Sequence, residues 1–221
     1  MPVNRTLPPT LDRSVRRALH VGFDQLVRRQ LRGVWVNGRP PVGAVIWASN
    51  HHSWWDYFVA RAVLSGGGRS DVDVLVDPAS IDRRSAWARG GAIGTDRLRS
   101  ALQVLDEDHV LVVFPEGSLR PAGEVGDLRP GAGWLAARSG AELRPVATRV
   151  VMRGQQAPEA YVDIGPAVDP SVLSDALHSR LRDLDSRLAH SDPMRPLPGF
   201  TLAVRGTRSW HERLPGRRAG R

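Results

Sequence analysis

The chain has 221 residues, with 31 Arg, no Lys, 23 Asp plus Glu and no Cys. That length suits one domain whose core can stand without staples, and the missing Cys excludes disulfides, thiol nucleophiles and cysteine-type zinc sites. No run approaches the roughly 18 apolar residues of a membrane-spanning helix, and residues 1–9 lack the apolar stretch of a secretory signal.

The net charge of +8 is uneven. Residues 1–40 hold 8 Arg against 2 Asp, residues 205–221 hold 6 Arg against 1 Glu, and residues 41–204 hold 17 Arg against 20 acids. Basic ends attract polyanions: nucleic acid, anionic lipid headgroups or phosphorylated ligands.

Residues 11–32 predict an amphipathic helix. Leu11, Val15, Ala18, Leu19, Gly22, Phe23, Leu26, Val27 and Leu31 recur at steps of three and four. Arg13, Arg16, Arg17, Arg28, Arg29 and Arg32 flank that stripe, which suits either a core or an anionic membrane surface. Strands are expected at 34–36 and 42–49, then a helix near 57–64 and a strand at 72–76. A helix over 81–89 ends at Gly90-Gly91. Another helix over 97–105 precedes a buried strand at 110–114. Residues 119–130 read as a Gly/Pro-rich loop. A helix at 132–139, strands at 144–152 and 160–164, and a long helix over 171–189 follow. Residues 191–221 are rich in Pro, Gly and Arg and read as a poorly ordered or loosely docked extension.

Strands alternating with helices predict a single α/β domain, with a mixed, mostly parallel sheet flanked by helices. The expected organisation is an N-terminal amphipathic segment at 1–32, the main domain at 33–190 and a C-terminal extension at 191–221.

Two His-x4-Asp pairs occur, His51–Asp56 and His178–Asp183. The second falls inside an expected continuous helix, where five residues turn about 500° and leave the side chains about 140° apart. The first lies between a buried strand and a helix. A loop His and an Asp in a first helical turn can face one another, the arrangement of a general base whose tautomer a carboxylate holds. A structural His is the competing reading. Phe114-Pro115-Glu116-Gly117-Ser118 follows a buried strand, where open α/β sheets collect ligands; Pro and Gly also build tight turns. In Gly91-Ala92-Ile93-Gly94-Thr95-Asp96-Arg97, glycines precede an Arg.

In this order and at these separations, the three segments resemble the blocks of the glycerolipid acyltransferase family, whose best-known members act on 1-acylglycerol-3-phosphate. Asn50-His51-x4-Asp56 resembles the first block, Gly91 through Arg97 the second and Phe114-Pro115-Glu116-Gly117 the third. Arg129-Pro130-Gly131-Ala132, then Leu143-Arg144-Pro145-Val146-Ala147, resembles the run into the fourth. The resemblance covers about residues 30–168 and implies a glycerolipid-acyltransferase-like fold. It makes His51 the base that deprotonates an acceptor hydroxyl attacking an acyl thioester, and Asp56 the group that orients His51. Arg97 would bind the acceptor's phosphate. Glu116, Gly117 and Ser118 would shape its pocket. The family's third block continues Gly-Thr-Arg-Ser, whereas this chain reads Gly117-Ser118-Leu119-Arg120. Arg120 or Arg129 is the replacement for the missing guanidinium, or the acceptor is another lysolipid, a glycolipid or a sugar hydroxyl. His52 is expected to be a surface or packing residue. Trp54 and Trp55 either pack the helix or line a channel.

The implied co-substrate is acyl-CoA or acyl carrier protein, with a lysolipid as acceptor. Nothing in the sequence requires a metal or a resident cofactor. The implied place of action is the inner face of the cell membrane, reached from the cytoplasm by peripheral contact with an anionic surface. A basic nucleic-acid-binding protein is the rival reading from composition, and a catalytically silent lipid binder is a third. No zinc spacing, RNA-recognition aromatic signature or helix-turn-helix supports the nucleic-acid reading, so no nucleic-acid partner is expected.

Overall fold

In the run from Val45 to Ser49 every residue is buried. Val45 and Trp47 enter one hydrophobic layer, and Ile46 and Ala48 enter another on the opposite side. A strand covered on both faces needs no polar alternation, which is why this segment reads as one apolar run. The computed structural model describes residues 9–80 and 90–210, so the helix expected over 81–89 lies outside the described residues. In chain order the elements are α1 (Pro9–Gln30), β1 (Gly33–Asn37), β2 (Val45–Ser49), α2 (Asp56–Gly66), β3 (Val72–Val76), β4 (Ala92–Gly94) and α3 (Leu98–Asp106). These are followed by β5 (Val110–Val113), α4 (Gly131–Ser139), β6 (Glu142–Val151), β7 (Glu159–Ile164), α5 (Leu173–His190) and β8 (Thr201–Arg205).

All eight strands form one sheet in the order β4-β3-β5-β2-β6-β7-β1-β8. The block β4-β3-β5-β2-β6 is parallel throughout. β7 turns antiparallel to β6, β1 follows β7 in parallel, and β8 closes the far edge antiparallel to β1. The result is a single mixed α/β domain. α1 and α2 cover one face, packing on the layer that holds Trp47, Val63 and Val162. On the other face, α3 and α4 cover Ile46, Leu111 and Leu143, while α5 covers Tyr161 and Ala147.

Two departures from the sequence reading have physical causes. The Gly-rich stretch after residue 90 supplies β4, a three-residue edge strand too short to show a pattern. Residues 197–205, within the stretch read as an extension, belong to the sheet layer. Leu197, Phe200 and Val204 are buried there, and Phe200 meets the Tyr161 ring edge-on at 5.5 Å. An edge strand exposes most of its side chains, so β8 carries little apolar signal.

For α1 the sequence left two readings, and the C-terminal half of its apolar stripe faces the core. Val27 and Leu31 are fully buried, and Phe23 and Leu26 pack beside them. Arg16 anchors the helix by donating to Asp73 at 2.9 Å and to the Val72 carbonyl at 3.1 Å. From Phe23 to Leu31 the stripe is therefore occupied by protein. No helix among the described residues is long and apolar enough to cross one.

If residues 197–205 are integral to the domain, Phe200→Ala should lower the unfolding free energy by about 3 kcal/mol in urea titration. A change near zero would mark this stretch as an appendage.

Candidate active site

β2 and β5 are adjacent and parallel, so their C-terminal ends lie side by side. The loop after β2 carries Asn50, His51 and His52; the turn after β5 carries Pro115, Glu116 and Gly117. Asn50 sets the exit from the sheet. Its amide donates to the Thr148 carbonyl at 3.0 Å and accepts from the Thr148 N–H at 2.8 Å, tying the loop to β6.

Asp56, the first residue of α2, is 2% exposed. Its Oδ2 accepts from His51 Nδ1 at 3.0 Å and from the backbone N–H of His52 and of Ser53, each at 2.9 Å. A carboxylate only accepts, so Nδ1 carries the proton and Nε2 of His51 is left with its lone pair. Among the described residues, Nε2 has no hydrogen-bond partner. The His51 side chain is 24% exposed, and its ring stacks on Phe114 at 4.2 Å between centroids. Oδ1 of Asp56 is buried with no hydrogen-bond partner. The carboxylate's charge, shared over both oxygens, stands beside an imidazole that would become positive on taking a proton. The pair can therefore act as a held, solvent-reachable base.

Glu116 is also 2% exposed, and both its oxygens are occupied. Oε1 accepts from the His51 backbone N–H at 2.7 Å. Oε2 accepts from His52 Nε2 at 3.2 Å and from the Gly126 N–H at 3.0 Å. Burial alone would raise its pKa, but the donors from His52, His51 and Gly126 outweigh it and hold the carboxyl below its ordinary value. Glu116 thus grips the loop that carries His51 and presents no free oxygen to a substrate.

His52 is not a surface residue; its side chain is 3% exposed. Arg149 Nη1 donates to His52 Nδ1 at 2.5 Å, and since Arg only donates, the His52 proton sits on Nε2 and points at Glu116. Arg149 is held in turn by Asp185 of α5, through Nε at 2.6 Å and Nη2 at 2.7 Å. Arg149 and Asp185 were missed at the sequence level. The available signal was an Arg inside an otherwise buried strand, since charges are rarely buried unpaired. Asp185 gives no sequence signal, because its partner lies 36 positions away.

Gly117 adopts φ +73°, and a Cβ there would run into the Arg129 guanidinium, which lies across the turn. The Arg129 N–H donates to the Pro115 carbonyl at 2.7 Å. Arg120 donates its backbone N–H to the His51 carbonyl at 2.8 Å. Ser118, Arg120 and Arg129 are exposed. Arg97 is exposed at the start of α3, on the same sheet end as His51. It stands three strands away, about 14 Å at ordinary strand spacing. The guanidiniums of Arg97, Arg120 and Arg129 make no hydrogen bond or ion pair among the described residues. The second His-x4-Asp pair is not a pair in space: His178 faces the carbonyls of Ser174 and Val125, and Asp183 is exposed. Among the described residues no cluster of His, Asp or Glu could hold a metal ion.

Glu116→Gln leaves one acceptor oxygen where three donors converge, so it should destabilise the protein by about 1–3 kcal/mol near neutral pH. The folded carboxyl titrates below the unfolded value of 4.5, so the wild-type advantage is full above 4.5 and fades as pH falls through the folded value. Urea titrations of both proteins across that acidic range check the magnitude and the sign.

A family model described as Acyltransferase matches residues 34–149, just over half the chain. Among solved structures, the 1-acyl-sn-glycerophosphate (LPA) acyltransferase PlsC from Thermotoga maritima matches with a TM-score of 0.57 and 17% identity, over 80% of each chain. At that identity the likeness establishes the shared fold. Comparison with curated protein sequences gives no match. With the loop after β2 and the turn after β5 both inside the matched span, this chain belongs to the acyltransferase family.

Proposed function

We propose that this chain moves a fatty acyl group from acyl-CoA or acyl carrier protein to the hydroxyl of a lysophospholipid, most specifically 1-acylglycerol-3-phosphate. The observation that carries the reading is His51, held through Nδ1 by buried Asp56 at 3.0 Å with Nε2 open at the C-terminal edge of the sheet. In the reaction, Nε2 takes the hydroxyl proton as the acceptor oxygen attacks the thioester carbonyl. The tetrahedral intermediate collapses, the carbon–sulfur bond breaks and the thiolate leaves. The imidazolium returns the proton to the sulfur. The products are an ester and a free thiol, with no acyl-enzyme, which fits a chain without Cys.

The acceptor's phosphate needs cations at the mouth of the site, and guanidiniums suit that task by forked donation. Arg129 lies across Gly117 and Arg120 borders the His51 loop, so both stand where the Leu119 position lacks a charge. Arg97, three strands away on the same sheet end, is the more distant cation for that charge. Ser118 and Gly117 form the floor of the acceptor pocket, and Glu116 supports it from beneath. The donor and acceptor together place the protein at the cytoplasmic face of the membrane. A neutral glycolipid acceptor is the second reading, favoured by Leu119 standing where the family carries Arg.

The test is thiol release from a long-chain acyl-CoA, with lysophosphatidate or a neutral lyso-glycolipid as acceptor. The wild type should turn over with lysophosphatidate, and His51→Ala should lose about 10²–10⁴-fold in rate. Turnover confined to the glycolipid would move the acceptor assignment, and turnover untouched by His51→Ala would overturn the mechanism.

A further inference from the structure

Arg149 lies on β6 beyond Val146, the last β6 residue that β2 pairs with. Its side chain is 7% exposed, and a cation taken out of water needs its donors filled. Those donors go to three separate segments. Nη1 donates to His52 Nδ1, in the loop after β2, at 2.5 Å. Nη2 donates to the Gly123 carbonyl, in the loop after β5, at 2.5 Å. Nε and Nη2 together grip the Asp185 carboxylate of α5, at 2.6 and 2.7 Å. One planar guanidinium therefore sets how these segments stand to one another.

Two of the three lead to the reacting group. His52 donates through Nε2 to Glu116, whose other oxygen holds the His51 backbone N–H. Gly123 shares a loop with Gly126, whose N–H binds the same Glu116 carboxylate. Asp185 is the third, and among the described residues it bonds only to Arg149. An ion pair that merely fastened α5 to the sheet would need none of this. Arg180 of α5 does that task with Asp163 of β7, at 2.9 Å.

We infer that Arg149, clamped by Asp185, is a positioning residue for acyl transfer: through His52 and Glu116 it sets where His51 stands, and through Gly123 it fixes the loop after β5 against the same base. The inference rests on the acyltransferase reading and adds what holds its base in place. Reacting atoms must come within about 3–3.5 Å, and a misplacement of about 1 Å can cost about 10²-fold in rate. A neutral imidazole suits position 52, because it accepts at one nitrogen and donates at the other. It thereby passes the place of a guanidinium on to a carboxylate.

The test is thiol release at saturating acyl-CoA and acceptor, for Asp185→Ala, Asp185→Glu and Arg180→Ala, each assayed where urea curves show it folded. Asp185→Ala should lower kcat about 10–100-fold with KM for acyl-CoA within about threefold, since binding stays and positioning is lost. Where the alanine variant does not stay folded, Asp185→Asn keeps one acceptor and should lose rate in the same direction. Asp185→Glu returns a carboxylate on a part-exposed side chain and should recover most of the rate. Arg180→Ala should keep the wild-type kcat. An unchanged kcat in Asp185→Ala overturns the inference, and so does an equal loss in Arg180→Ala, which would make the fastening of α5 the whole effect. A second readout needs no turnover. Imidazole nitrogen shifts of the wild type should show His51 protonated at Nδ1 and His52 at Nε2. In Asp185→Ala the His52 proton should divide between its two nitrogens, and an unmoved His52 signal overturns the inference. A wild type that does not turn over, or whose turnover survives His51→Ala, defeats the acyltransferase reading instead, while the nitrogen shifts still decide the clamp.

Discussion

Two buried carboxylates hold the reactive loop, and the rest of the site depends on them. Asp56 and Glu116 each receive three N–H donors, and five of the six come from His51, His52 and Ser53. Taking a carboxylate out of water costs several kcal/mol. Hydrogen bonds to a charged acceptor return about 1.5–3 kcal/mol each, so three donors are about what each group needs. The lowered pKa of Glu116 shows that the donors outweigh burial there. His51 is gripped from two directions: Glu116 takes its backbone N–H and Asp56 takes its ring. A loop so held has no freedom to swing its imidazole, which is what a positioned base requires.

The parallel block explains why these groups can meet. Consecutive parallel strands deliver their C-terminal loops to one edge, so residues 65 positions apart share a hydrogen bond. The same edge receives the start of α2, where the helix's partial positive charge favours the Asp56 carboxylate. Asp56 thereby does two things with one oxygen: it stabilises the entry into α2 through the His52 and Ser53 N–H groups, and it orients the His51 ring. Behind the loop, the chain from Glu116 through His52 and Arg149 to Asp185 ties the reactive edge to α5. Each proton position along it follows from the donor-only character of Arg and the acceptor-only character of a carboxylate.

Much of this was legible in the residues. Apolar runs at 42–49 and 110–114 read as buried strands, and the His51–Asp56 spacing allowed a pair, because one partner sits in a loop and the other at a helix start, with a structural His as the competing reading. The same spacing at His178–Asp183 was readable as accidental, since both residues lie on one continuous helix. What stayed hidden depended on contacts distant in sequence or on strands with little side-chain signal. β4 and β8 are edge strands, short or largely exposed, so no periodicity marked them. The α1 stripe is identical whether it meets protein or lipid; only the packing of Val27 and Leu31 decides. The carboxylate of Glu116 looks like a ligand in a motif, and only its filled hydrogen-bonding capacity shows that it acts through His51 and His52.

The Leu119 substitution joins these themes. At position 119 this chain has an exposed apolar side chain, and the guanidinium of Arg129 lies close by, across Gly117. Arg129 reaches back from beyond the loop to lie across Gly117, whose φ of +73° favours Gly and where a Cβ would displace that side chain. The left-handed turn at Gly117 thus leaves the space that the Arg129 side chain fills.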